Sequence, residues 1–252
     1  MNEPPVLSQL AVLLVRPGVV VALAPTFGGL YATGRTKIGL TVMLAIGLLP
    51  SVVVPPAIDA AALGGFIARE VVIGLALALA VRALVGGVEF AGHLSGQQMG
   101  LTYAGTIDPS SGAKHTVVTT LFNMVAVLTL FAMDGHHTIL RALAASYTGL
   151  PVGDGGVNAS LVTSVRETLA LVFVTAVRLS APMVVVLLIA EIVIGFISRV
   201  TPALSFMVIG FPIRMLLGLF VLGLVVTTLP GIVHSLNDRA IRLGLDTAGA
   251  FR

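Results

Sequence analysis

Long apolar runs with few charges fill most of this sequence. They cover residues 10–31, 38–54, 66–88, 116–133, 161–198 and 202–233, and about 20 predominantly apolar residues are enough for a helix to cross the hydrocarbon core of a bilayer. The strands of a membrane barrel would instead alternate apolar and polar residues over about ten positions. Because these runs are continuous, they predict an all-α, multi-pass membrane protein.

The composition supports this class and excludes several others. Of 252 residues, 57% are hydrophobic and 10% are charged, whereas charged residues make up about 25% of a typical soluble domain. The net charge is +3 and the basic residues are scattered, so we expect no nucleic-acid partner. The absence of cysteine excludes disulfides and thiolate metal sites. The N-terminus lacks the basic region of a cleaved signal peptide, and without a linker or repeat we expect one domain over residues 1–252.

Helix-breaking residues mark expected interruptions in the two C-terminal runs. The run 161–198 is too long for one straight span, and Pro182 is expected to kink or split it. The next run is expected to break at the Gly-Phe-Pro triplet of residues 210–212. Residues 233–252 place apolar side chains at helical spacing with arginines on the other side, which predicts a short amphipathic surface helix.

Ionisable residues inside the runs constrain where the helices lie. A charged side chain at the bilayer centre costs about 2.5–3.5 kcal/mol, so each must face protein or water. Glu70 is expected to be a buried charge. Arg178 and Glu191 are also expected to be buried, either as an intramembrane ion pair or proton relay, or as structural charges that a neighbouring helix satisfies. The same constraint applies to Arg69, Arg82, Arg166, Glu167 and Arg214.

The basic residues between the runs give no consistent topology. Arg35 and Lys37 place the first connection on the cytoplasmic side by the positive-inside rule. Simple alternation from there does not bring Lys114, Arg199 and the C-terminal arginines to the inside together. We therefore expect either re-entrant segments or helices that do not span in the ordinary way.

Residues 90–115 form the most polar segment in the middle of the chain. Gly92, Gly96, Gly100 and Ala104 are four residues apart, so on a helix they form a face that requires a close neighbour. The sequence GTIDPSSG, residues 105–112, then predicts a turn. At membrane depth such a loop is tolerated only where it is buried in protein or lines an aqueous cavity; elsewhere it is an ordinary surface connection.

The sequence DGHH at 134–137 raises the question of a metal site or an intramembrane hydrolase. Adjacent histidines do not share one face of a helix, and no HExxH motif or third-ligand cluster accompanies them in the sequence. We predict a loop-to-helix turn at Asp134 and Gly135, and no metal. There is also no GxSxG motif or P-loop, so we expect neither an enzyme nor a bound cofactor.

Three stretches together resemble the FliR family of type III export-gate subunits. They are GHLSGQQMGLTYAGTIDPSSG at 92–112, DGHH at 134–137 and RVTPALSFMVIGFPIRMLLGL at 199–219. The agreement extends to their order, their spacing and the length of the chain. The residues that carry the two more specific motifs are Gln98, Met99, Gly100, Leu101, Gly210, Phe211 and Pro212.

The resemblance implies a fold of tilted, broken helical hairpins in a helical export-gate assembly at the bacterial inner membrane, within the flagellar basal body. It implies FliP-like and FliQ-like subunits, FlhB-like and FlhA-like components, unfolded flagellar proteins and membrane lipid as partners. It further implies a non-enzymatic role in protein export for flagellar biosynthesis, in which the loop after the QMG helix helps to plug the closed channel. By position, the plug residues are Thr106, Ile107, Asp108, Pro109, Ser110, Ser111, Gly112, Ala113, Lys114 and His115.

Two alternative functions remain open at this point. The first is an injectisome type III secretion subunit, the virulence counterpart in the same family. The second is a small proton-coupled secondary transporter, in which helices broken at Pro182 and at residues 210–212 would bind a solute and Glu191 would couple protons. The transporter predicts internal inverted symmetry, which the sequence does not show.

Overall fold

The computed structural model describes residues 5–27, 32–52, 60–101, 116–153, 159–201 and 206–249. Within these ranges the backbone forms α-helices and two short 3₁₀ turns, and no strand. The all-α prediction is therefore confirmed. The helices are α1 (Pro5–Leu23), α2 (Gly34–Leu48), α3 (Ala60–Gln98), α4 (Val117–Ala132), α5 (Gly135–Gly149), α6 (Ala159–Val200) and α7 (Phe206–Gly249), and the 3₁₀ turns are Pro25–Phe27 and Leu49–Ser51.

The two N-terminal helices are shorter than the predicted spans. Helix α1 continues through Pro17 without a break, and its described apolar stretch, Gln9–Leu23, is shorter than the about 20 residues that cross a bilayer core. Helix α2 has 15 residues. Its N-cap is Thr33, whose hydroxyl accepts a hydrogen bond from the Thr36 amide at 3.4 Å.

The prolines and the Gly-Phe-Pro triplet do not divide the C-terminal helices. Helix α6 is continuous for 42 residues through Pro182, and α7 is continuous for 44 residues through Pro212 and Pro230. The predicted break at residues 210–212 is therefore wrong. The predicted C-terminal helix continues α7 to Gly249, with Leu236 and Ala240 buried and Arg239 exposed. A proline removes one helical hydrogen bond, and in an apolar setting the remaining bonds have no water to compete with them.

Among the described residues, three helices contain stretches long and apolar enough to cross a membrane. These are Ala62–Gln98 in α3, Val165–Val200 in α6 and Gly210–Ala240 in α7. Helices α4 and α5 meet at an angle of 67° and together count as at most a fourth, broken span. The three stretches differ in how much of them is buried within the chain. Of an 18-residue apolar segment in each, 67% is buried in α3, 28% in α6 and 33% in α7. Helices α6 and α7 therefore present most of their apolar surface outward.

The chain separates into two compact units, and the division falls within helices rather than between them. The first unit comprises Met1–Leu84, Leu130–Ala170 and Ser235–Arg252. Its apolar core is built from α1, α3 and α5, with Leu13, Ile73 and Leu143 almost fully buried.

The second unit comprises Val85–Thr129 and Leu171–His234. Its buried side chains include Phe122 of α4, Leu179 and Met183 of α6, and Leu229 of α7. The central motif of residues 92–101 lies in this unit. The expectation of a single domain over residues 1–252 stays a prediction.

Candidate functional site

The QMGL motif forms the end of helix α3. Gly100 has a φ angle of 79°, in the left-handed region that glycine adopts without a steric penalty. Its amide donates to the Gln97 carbonyl at 3.0 Å, and the Leu101 amide donates to the Gly96 carbonyl at 3.0 Å. These two bonds define a Schellman motif, which ends a helix at a fixed residue. Gly100 is therefore a helix terminator.

Met99 fixes the end of α3 against α7. Its side chain is fully buried. A Cβ atom on Gly218 of α7 would lie 2.5 Å from Met99 Cγ and 2.9 Å from Met99 Cε. The glycine therefore leaves the space that the methionine occupies, and the flexible thioether fits the gap.

The other two glycines of the predicted face lie against α4. A Cβ atom on Gly92 would be 2.8 Å from Thr119 Cα and 3.2 Å from Phe122 Cβ. A Cβ atom on Gly96 would be 2.5 Å from Thr116 Oγ1. Because glycine has no Cβ atom, the backbones of α3 and α4 can approach this closely, as they do at small residues in membrane helix pairs. The neighbour that Gly92 and Gly96 require is thus a helix of the same chain.

The same contacts hold both ends of the segment 102–115. The segment leaves α3 at Leu101 and rejoins the described chain at Thr116, which lies against Gly96. Thr116 also caps α4, because its hydroxyl accepts a hydrogen bond from the Thr119 amide at 3.2 Å. The predicted plug residues 106–115 and the fourth packing residue, Ala104, lie outside the described residues.

A buried ion pair joins α1 to α3. Arg16 Nε donates to Glu70 Oε2 at 2.8 Å and Arg16 Nη2 donates to Glu70 Oε1 at 2.9 Å, and both side chains are fully buried. Two parallel bonds between a guanidinium and a carboxylate form the strongest arrangement for such a pair. Glu70 is therefore a buried charge, as its position in an apolar run predicts, and its partner comes from α1.

Groups around α5 satisfy the remaining atoms of this pair. Arg16 Nη1 donates to Ser146 Oγ at 3.0 Å, and Nη2 donates to the Leu150 carbonyl at 3.3 Å. The guanidinium carbon lies 4.0 Å from the centre of the Tyr147 ring, a cation–π contact. The Gly153 amide donates to Glu70 Oε1 at 3.3 Å. The pair is thus fully coordinated inside one compact unit.

Arg69 and Phe66 hold the turn that follows α5 in place. Arg69 Nη1 donates to the Gly153 carbonyl at 2.6 Å. Gly153 has a φ angle of 85°, and a Cβ atom there would overlap the Phe66 ring. Only glycine fits this position, since both the backbone angle and the ring exclude a side chain.

Two charged residues of α6, Glu191 and Arg178, differ in whether they have an ion-pair partner among the described residues. Arg214 Nη2 of α7 lies 3.1 Å from Glu191 Oε1, so Glu191 pairs with Arg214 and not with Arg178. The Glu191 side chain is nevertheless 41% exposed. Arg178 is exposed in the described part of the chain, and the expectation that it is a buried charge stays a prediction.

The remaining motif residues occupy less constrained positions. In the Gly-Phe-Pro triplet, Gly210 is buried while Phe211 and Pro212 are exposed on α7. Gln97 and Gln98 are exposed at the end of α3. The Gln97 side chain lies 3.2 Å from His93 Nε2, one helical turn away.

The DGHH sequence forms the bend between α4 and α5. Asp134 has a φ angle of 55°, and α5 begins at Gly135. Asp134 Oδ1 lies 3.2 Å from His137 Nδ1. Contrary to the argument from helix faces, Asp134, His136 and His137 each bring one ligand atom within 4.8 Å of the others. Asp134 and His137 are well exposed, and no fourth carboxylate or imidazole joins them among the described residues.

Comparison with known proteins decides the family. The model of the family described as bacterial export proteins, family 1, matches residues 7–240. The chain belongs to this family. The predicted relationship to FliR is confirmed, and membership of an export family agrees with the expectation that the protein is not an enzyme.

Two FliR proteins are similar to this chain over nearly all its length. The flagellar biosynthetic protein FliR of Pectobacterium carotovorum is 30% identical over 234 residues, which are 92% of this chain and 89% of that protein. FliR of Caulobacter vibrioides is 30% identical over 238 residues, 91% of each chain. The surface presentation of antigens protein SpaR of Shigella sonnei is 25% identical over 154 residues, 61% of this chain and 59% of that protein.

Sequence reasoning missed the buried partner of Glu70. Its partner, Arg16, stands directly before Pro17 within the first apolar run. A lone arginine in one apolar run and a glutamate in another are a signal for such a pair. It also missed Gly87, where a Cβ atom would lie 2.7 Å from Thr175 Cβ of α6.

Proposed function

We propose that this member of the FliR family is a wall subunit of a flagellar type III export channel. In this proposal it assembles with FliP-like and FliQ-like subunits in the bacterial inner membrane, close to FlhB-like and FlhA-like components of the basal body. Unfolded flagellar proteins pass through the channel. Residues 106–115 close the channel at rest.

The observation that carries the plug assignment is the fixing of both ends of the segment 102–115. A Schellman motif ends α3 at Gly100, and Thr116 begins α4 against Gly96. The two ends of this polar segment are held close together by α3 and α4. A loop that two rigid helices hold in this way can obstruct a channel at that position.

The exposed surface of the C-terminal helices supports assembly. The apolar windows of α6 and α7 are 28% and 33% buried in the chain alone. A channel subunit needs such surface for neighbouring subunits and for lipid. A wall made of several chains would also place charges against protein or water, where an intramembrane charge is tolerated.

Deleting Ser110–Gly112 tests the plug. Shortening the segment should open the resting channel, so ion leakage through the assembled gate should rise, measured as conductance of the purified complex in planar bilayers. A deletion of Pro55–Ala57, in a different connection, is the control and should leave conductance at the wild-type level. Equal leakage from the plug deletion, the control and the wild type would show that residues 106–115 do not close the pore.

Co-purification tests the assembly itself. The wild-type chain, expressed with its FliP-like and FliQ-like neighbours and extracted in mild detergent, should be recovered with both as one complex. Recovery of a stable homo-oligomer without them would contradict the proposed function and would favour the transporter alternative.

A further inference from the structure

Arg178 is an exposed cation in the middle of an apolar helix. It lies within the 36-residue apolar stretch Val165–Val200. Among the residues that the structure describes, no carboxylate forms an ion pair with it, since the ion pairs join other residues and Arg178 makes no further interaction. Glu191, on the same helix, already has Arg214 as its partner. Arg178 therefore needs a counter-charge that this part of the chain does not supply.

The surface around Arg178 is a continuous apolar face. Residues three or four apart lie on one side of a helix, and this spacing connects Arg178 to exposed residues along α6. The apolar members of the face are between 39% and 66% exposed and bury little within this chain. They are Val174, Val185, Ile189, Ile192 and Phe196.

Pro182 adds an acceptor to the same face. In an α-helix, the amide of residue i bonds the carbonyl of residue i−4. Proline has no amide hydrogen, so Pro182 cannot bond the carbonyl oxygen of Arg178. Both side chains are exposed on α6. A partner that provides a polar contact at this level suits the face better than acyl chains, which offer none.

A lipid headgroup is the competing partner for the guanidinium. From Arg178 to Phe196 the face is about 27 Å long, close to the thickness of a bilayer core, so Arg178 would reach a phosphate at the boundary. On its other side, however, Leu169, Phe173 and Val177 are also exposed. A headgroup position for Arg178 would leave these side chains in water, which argues against it.

We propose that this face of α6 binds an apolar helix of another subunit that carries an aspartate or glutamate opposite Arg178. The inference rests on the proposed function, because it assumes a multi-subunit gate. It assigns Arg178 as the residue that sets the register between α6 and the helix of the other subunit. Arg178 would act as a specificity-determining residue. An isolated buried charge pair between apolar surfaces tolerates a matching partner and rejects others.

Charge reversal tests the pair. Arg178→Glu should reduce recovery of the complex by about ten-fold or more, because two carboxylates would then face each other, whereas Arg178→Lys should stay within about two-fold of the wild type. Arg166→Glu is the matched control: Arg166 is exposed on the same helix but on a different side and nearer the helix start. Levels and protease resistance of the chain in membranes show that each variant folds.

Rescue and cross-linking identify the partner. A lysine in place of the opposing acid of another subunit should restore assembly of Arg178→Glu. A photo-reactive amino acid at Val185, on the same face, should form an adduct with a helix of another subunit that contains an acidic residue within two turns of the cross-link.

Each outcome decides the inference separately from the proposed function. Wild-type recovery of the Arg178→Glu complex, or a Val185 adduct only with lipid or with this chain itself, would overturn the inference while leaving the gate intact. If the wild-type chain forms no complex with FliP-like and FliQ-like subunits, the proposed function fails instead. A Val185 adduct with a different acidic helix would still support the pairing.

Discussion

The buried ion pair of one compact unit contrasts with a single exposed arginine of the other. In the unit built on α1, the first part of α3 and α5, Arg16 and Glu70 are fully buried and satisfy each other. In the other unit Arg178 is exposed and has no ion-pair partner among the described residues. Removing a charge from water costs free energy in both places. The ion pair offsets this cost within the chain at Arg16 and Glu70, whereas at Arg178 another protein would have to supply the opposite charge. The buried pair thus depends on contacts within its own unit, whereas Arg178 is available for contact with another protein.

The largest expected effect is the loss of one partner of the buried pair. Glu70→Leu would leave the Arg16 guanidinium buried without its anion, which costs about 3–5 kcal/mol. We expect a large fall in the thermal unfolding midpoint of the detergent-solubilised chain.

Two controls sharpen this result. The double change Arg16→Leu with Glu70→Leu should recover most of the stability, because an apolar pair needs no counter-charge. Glu191→Leu should cost less than Glu70→Leu, because the Glu191 side chain is 41% exposed and the pair is not fully buried. Equal losses at Glu70 and Glu191 would mean that the two units do not differ in the way described.

A smaller effect is expected where the second unit depends on glycine. Gly87→Ala would place a Cβ atom 2.9 Å from the Val172 carbonyl oxygen and 2.7 Å from Thr175 Cβ, an overpacking that costs about 1–3 kcal/mol. Its neighbour Gly86 has no atom within 4 Å of the added Cβ. Gly86→Ala should therefore be neutral or stabilise the helix by up to about 1 kcal/mol. Unfolding midpoints of the two alanine variants measure the difference, and identical midpoints would contradict close packing of α3 on α6.

The smallest effect is expected at the helix terminator. Gly100→Ala would force a side chain into the left-handed region and should cost about 1 kcal/mol. Gly100→Asn should cost less, because asparagine tolerates this conformation. Hydrogen exchange of the Leu101 amide reports the change locally: exchange should be faster in the alanine variant. Unchanged exchange would show that the hydrogen bond from the Leu101 amide to the Gly96 carbonyl does not depend on Gly100.

Much of the secondary structure follows from the sequence, because apolar runs of this length admit only helices in a bilayer. The spacing of Gly92 and Gly96 indicated a close neighbour, and both glycines lie against α4. Gly100 shares that spacing but ends the helix. The sequence could not predict this, because a four-residue repeat of glycine is the same for a packing face and for a left-handed helix terminator.

Long-range pairing could not be predicted in the same way. Arg16 and Glu70 are 54 residues apart, and only the tertiary packing of α1 on α3 brings them together. The split at Pro182 and the break at residues 210–212 do not occur, because the hydrogen bonds on either side of a proline can keep a long apolar helix continuous. The plug assignment of residues 106–115 stays a prediction, since these residues lie outside the described ranges.

The end of α3 has a consequence for where a polar segment can begin. A helix normally leaves its last four carbonyl groups to water. Here the carbonyls of Ser95, Gly96 and Gln97 accept bonds from the amides of Met99, Leu101 and Gly100, so three of those four groups are already satisfied. This helix can therefore stop far from either membrane surface with a small desolvation cost, and the depth at which the following segment starts is set by the protein and not by the position of the nearest water.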